Sequence, residues 1–121
     1  LGESEEGLTA LKEAGNWEQR NDERLYAAEV CRLRGELLRR LEVPDLIQAE
    51  GCFENALAIA RAQHAKSWEL RGAISMARMW LETGRSDDAR ALLSPVYDWF
   101  TEGFDTPDLI DAKALLDQMN R

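Results

Sequence analysis

Two triplets of residues, forty positions apart, constrain the fold more than any other feature of the chain. Ala49, Phe53 and Ala56 form a small, large, small pattern at spacings of four and three, and Ala89, Leu93 and Val96 repeat it. Such spacings keep side chains on one face of an α-helix. The small residue lets a partner helix approach closely, while the large one fills the groove beside it. A single helical hairpin cannot bury its own apolar face, so a pattern returning at this interval predicts hairpins laid against one another.

The rest of the chain supplies the partners. Six helices are predicted and no strand, so the expected fold class is all-α, built from antiparallel hairpins. The first covers residues 3–20, with Leu8, Leu11 and Trp17 as apolar points, and the second follows Asn21 or Asp22 as cap and ends near Leu41. Asp45 with Gln48 resembles a capping box and starts the third. The fourth spans 66–83 and stops at Gly84, a natural left-handed residue; Ser86 then caps a fifth over 87–101. Pro95 cannot donate to the carbonyl of Ala91 and is expected to bend or break that helix. Thr106, Pro107 and Asp108 supply the cap, first-position proline and first-turn acid of a sixth helix. Facing the two triplets are Leu33, Gly35 and Leu38 in one hairpin and Ala73, Ala77 and Trp80 in the other.

These boundaries give one domain over 1–121: a partial repeat helix at 1–22, hairpins at 23–65 and 66–105, and a capping helix at 106–121. A chain of 121 residues can bury about two-thirds of its unfolded surface, enough for a core. The opening residue, Leu1, suggests a piece of something longer.

At this point the sequence resembles the tetratricopeptide repeat family, whose consensus closes on the pattern Ala-x3-Phe-x2-Ala seen at Ala49, Phe53 and Ala56. The resemblance implies a short superhelix of stacked hairpins. More narrowly, three runs look like the C-terminal region of large bacterial signalling proteins: Cys31 to Leu38, Asn55 to Arg61, and Pro95 to Leu109. Those proteins join an adenylate or guanylate cyclase domain, or a transcriptional-activator domain, to a predicted ATPase and then to helical repeats. The resemblance covers Leu25 to Leu116 and implies the repeat region alone, without the catalytic domains.

Chemistry is correspondingly sparse. No phosphate-binding glycine loop, nucleophile elbow or zinc-protease motif occurs, so no enzymatic activity and no cofactor are expected. Cys31 and Cys52 are too few for a disulfide framework and read as small apolar residues in a reducing cytoplasm. With His64 the only histidine, no metal site is expected, and that residue reads as a favourable group at a helix C-terminus. A net charge of −8 repels nucleic acid, and no apolar run reaches bilayer length. Met76 and Met79 are expected to fill core, and Tyr97, Trp99, Phe100 and Phe104 to seal the last hairpin.

The expected activity is therefore recognition of a protein or peptide. If the first helix of each hairpin lines a concave side, as the tetratricopeptide resemblance implies, Arg71, Ile74, Arg78 and Glu82 face a groove. The matching positions are Glu29, Arg32, Glu36 and Arg40. Four arginines there would reverse the sign of the acidic chain locally and attract an acidic partner; the alternative is that they pair with neighbouring glutamates. The binding residues so predicted are Arg32, Glu36, Arg40, Arg71 and Arg78. A rival reading is a small-molecule sensor, the ligand lying among Trp80, Trp99 and Phe104 and shifting the packing of the last hairpin. Self-association through Leu8, Leu11 and Trp17 at the N-terminal edge is also expected.

Overall fold

Residues 21–120 are described by the computed structural model, and among them the chain is all-helical, without strands. Five helices follow in order: α1 Asn21–Arg39, α2 Leu46–Ala62, α3 Lys66–Glu82, α4 Ser86–Trp99 and α5 Pro107–Met119. The helix predicted over 3–20, with Leu8, Leu11 and Trp17, lies outside the described residues.

Local chemistry explains most of the boundaries. Asp45 caps α2 by accepting from the Gln48 backbone N–H at 3.1 Å, and the Gln48 side-chain amide donates to the other carboxylate oxygen at 2.8 Å. Two three-residue turns then close in the same way. His64 N–H donates to Arg61 O and Ala65 N–H to Ala60 O; Gly84 N–H donates to Leu81 O and Arg85 N–H to Trp80 O. Each is a Schellman motif, and the residue at its left-handed position is His64 (φ 54°) in one and Gly84 (φ 83°) in the other.

Three expected boundaries shift. Asn21 and Asp22 are already helical rather than capping. Arg85, not Ser86, occupies the cap of α4, because Arg85 must donate backward to finish the turn before it. Pro95 does not break α4, which continues to Trp99. Both Ala91 and Pro95 are exposed, so the hydrogen bond that proline cannot make is lost on the side facing water.

Side-chain bridges give the helix directions. Arg61 meets Glu69 and Trp80 meets Glu50, so α2 and α3 run antiparallel. Glu29, Arg32 and Arg39 of α1 meet Arg71, Ser75 and Glu82 of α3, so these two helices run parallel at a separation of 42 to 43 residues. The third helix also packs against α4 and α5, making it the centre of the fold. Its sequence suits that position: Gly72, Ala73, Ser75 and Ala77 are all buried, and their small side chains admit neighbours on several sides. All six triplet residues are buried, Ala49, Phe53 and Ala56 in α2 and Ala89, Leu93 and Val96 in α4. Met76 and Met79 join them in the core.

Other expected core residues do not reach it. Leu33 is 39% exposed. Cys31 and Cys52 are half-buried, Cys52 packing against the core from its edge. Of the aromatic group, Tyr97 and Phe100 pack on the core, whereas Trp99, the last residue of α4, and Phe104 beyond it remain exposed. Trp99 is held edge-on to Phe100 at 5.1 Å, with Lys66 over its ring at 5.6 Å.

Candidate functional site

The parallel run of α1, α3 and α5 leaves a polar cavity of about 300 Å³. Arg32 enters it from α1, Arg71, Ile74, Ser75 and Arg78 from α3, and Asp108 and Asp111 from α5. Helical spacing on α3 puts Arg71, Ile74, Ser75 and Arg78 on one face. Three helices must therefore be stacked before this cavity exists.

A chain of hydrogen bonds fixes most of its wall. Arg32 Nε donates to Glu29 Oε2 at 2.9 Å, and its Nη1 donates across to the buried Ser75 hydroxyl at 3.2 Å. Arg71 Nη1 donates to Glu29 Oε1 at 3.5 Å, while Arg71 Nε donates to Asp108 Oδ2 at 2.9 Å. Glu29 thus links α1 to α3, and Arg71 links both to α5. The Arg32 guanidinium is held above its ordinary pKa, chiefly by its hydrogen bond to Glu29 and against the opposing effect of burial.

Not every predicted residue arrives. Arg32, Arg71 and Arg78 share the cavity; Glu36 and Arg40 do not line it. Glu36 is buried and bonded to both Arg39 and Arg40, whose side chain is largely exposed. Arg39, rather than Arg40, crosses to Glu82. The pairing offset between α1 and α3 is 42 at Glu29–Arg71, as predicted, and 43 at Arg39–Glu82, so toward the C-terminal end of α1 the residue reaching Glu82 is one position earlier than expected. The expected reversal of sign is also reduced. Asp108 and Asp111 enter from α5, and Glu29 bonds two of the arginines, so the three cations are nearly balanced. Register along α1 and α3 alone could not disclose those aspartates. The acidic first turn at Asp108 was the available signal.

A second cavity, also of about 300 Å³, opens on another surface among Leu46, Ile47, Met79, Trp80 and Thr83. Its polar groups satisfy one another: the Trp80 indole N–H donates to Glu50 Oε1 at 2.6 Å, Arg85 Nη1 donates to the same oxygen at 2.8 Å, and the Arg85 guanidinium lies 4.3 Å from the Trp80 ring. The proposed ligand trio of Trp80, Trp99 and Phe104 does not converge here. Trp99 touches Lys66 at the opposite end of α3 from Trp80, about 20 Å away at the helical rise.

Among the described residues, no cluster of histidine, cysteine or acidic side chains could hold a metal ion, and no helix is long and apolar enough to cross a membrane. Comparison with protein families, with curated proteins and with solved structures found no match to the chain.

Proposed function

We propose that this chain is a non-enzymatic interaction module, a short tetratricopeptide-like array that docks a peptide segment of a partner protein between α1, α3 and α5. The observation carrying the reading is that one cavity receives charged side chains from three successive parallel helices, with Arg32 and Arg71 held in place by cross-helix hydrogen bonds. Preorganised donors of this kind bind without first ordering their own side chains. The two buried triplets forty residues apart support the repeat character of the array. The runs that resemble bacterial cyclase-linked or activator-linked repeat regions support a place within a larger cytoplasmic signalling protein.

A peptide display library panned on the folded chain tests the reading. Sequences enriched on the native protein are expected to be lost on Arg78→Glu, with the far-ultraviolet circular dichroism unchanged. Enrichment indifferent to that substitution, or no enrichment at all, overturns it. Self-association through the N-terminal edge belongs to the same proposal, and a strict monomer in sedimentation at high concentration counts against it.

A further inference from the structure

The charges lining the cavity fall into two sets. Arg32, Glu29, Arg71 and Asp108 neutralise one another through the bonds already described. Arg78 and Asp111, which line the same cavity, have no hydrogen-bond or ion-pair partner among the described residues. One wall therefore offers an unpaired cation and another an unpaired anion. A wholly acidic occupant would satisfy Arg78 and confront Asp111; a wholly basic one would do the reverse, and either sets a like charge beside one of the two.

Register sets the axial part of their separation, to which the distance between the two helices adds across the groove. The Arg71–Asp108 bond aligns α3 with α5 at an offset of 37, which puts Asp111 level with Ile74. Arg78 lies four residues beyond Ile74, about 6 Å further along the groove at the helical rise. An extended strand running along the groove advances about 6.6 Å over two residues, which matches the axial offset, while the side chains themselves reach across to the two walls. The charges of a free α-amino acid, on adjacent atoms of one carbon, are too close to span this interval.

We propose that the groove selects an extended peptide segment carrying one acidic and one basic side chain two positions apart, the acid seated on Arg78 and the base on Asp111. This deepens the docking reading and rests on it. It replaces the acidic partner expected from the helix register with one of mixed charge.

The test is a nuclear magnetic resonance titration of the 15N-labelled full chain with four capped peptides. Two are Gly-Ser-Glu-Ser-Lys-Ser-Gly and the form with Glu and Lys exchanged; the controls carry Glu or Lys at both places. One mixed peptide is expected to shift amides near residues 74–78 and 108–111, with a dissociation constant at least about fivefold below both controls. Exchanging the walls, Arg78→Asp with Asp111→Arg, is expected to move the preference to the other mixed peptide. The acidic control binding as tightly as either mixed peptide overturns the inference while leaving the docking reading intact. So does a preference that survives the exchange. If none of the four peptides moves the groove amides, the mixed-charge inference fails, and display enrichment lost on Arg78→Glu would still support docking. The comparison on the native chain needs no variant, so misfolding of the exchanged protein does not shelter the inference.

Discussion

A β-carbon placed on Gly35 of α1 would lie 2.6 Å from Cε1 and 2.8 Å from Cδ1 of Phe53 in α2. The ring is fully buried and has nowhere to retreat, so this one contact sets how closely the first two helices approach. Alanine is the better helix former by about 1 kcal/mol, yet Gly35→Ala is expected to destabilise the fold by roughly 1–3 kcal/mol through overpacking. In a Phe53→Leu background the same change should become neutral or stabilising. Denaturant unfolding of the four proteins, read as a double-mutant cycle, checks this; additive effects would contradict it.

His64 and Gly84 hold equivalent left-handed positions in consecutive turns, and only one is glycine. His64→Gly should therefore stabilise the protein by about 1 kcal/mol, whereas Gly84→Ala should destabilise it by a similar amount, although nothing stands within 4 Å of the added carbon. Thermal unfolding distinguishes this from the helix-terminus charge role expected of His64, under which His64→Gly would lower the melting temperature.

Glu50 accepts from both the Trp80 indole and Arg85. Glu50→Ala leaves the indole N–H of a half-buried tryptophan unpaired and is expected to cost about 1 kcal/mol in urea unfolding. Glu50→Gln, which retains an acceptor, should recover most of the loss.

Burial pushes the Cys52 thiol above its ordinary pKa, against the lowering effect of nearby Arg34. The pH midpoint of its alkylation should lie above that of a cysteine peptide and fall to the peptide value in urea. The linked stability has a definite sign. It is complete below the ordinary thiol range and is lost as pH rises through the raised value, because the unfolded chain ionises first. Wild type should accordingly lose stability relative to Cys52→Ala at alkaline pH.

Arg71 joins three helices but is partly open to water, with Glu29 and Asp108 as its partners. Arg71→Gln is expected to lower stability by about 0.5–1 kcal/mol at low salt, the difference shrinking in 0.5 M sodium chloride. Unfolding measured at the two ionic strengths checks it, and a loss independent of salt would assign the side chain to packing instead.

The sequence by itself encodes what depends on neighbours along the chain. The small, large, small triplets, the Asp45 cap and the stop at Gly84 act over three or four residues, so their outcome is encoded locally. Pro95 stood nearer the limit: its missing donor was legible, but whether the helix broke depended on which side faced water.

The groove lay beyond that limit. Helical spacing puts Arg71 and Arg78 on one face of α3, and the parallel packing of α1 against it brings Arg32 to them. Whether Arg39 or Arg40 crossed to Glu82 depended on a pairing offset that grows from 42 at Glu29–Arg71 to 43 at Arg39–Glu82, which helical spacing within α1 does not encode. The two aspartates that change the cavity from basic to balanced come from α5, more than thirty residues along the chain from the arginines of α3 that line the same cavity. Sequence spacing determined the helices and their apolar faces; only the packing of three helices around α3 decided which charges meet, because that depends on rotations and offsets no local pattern records.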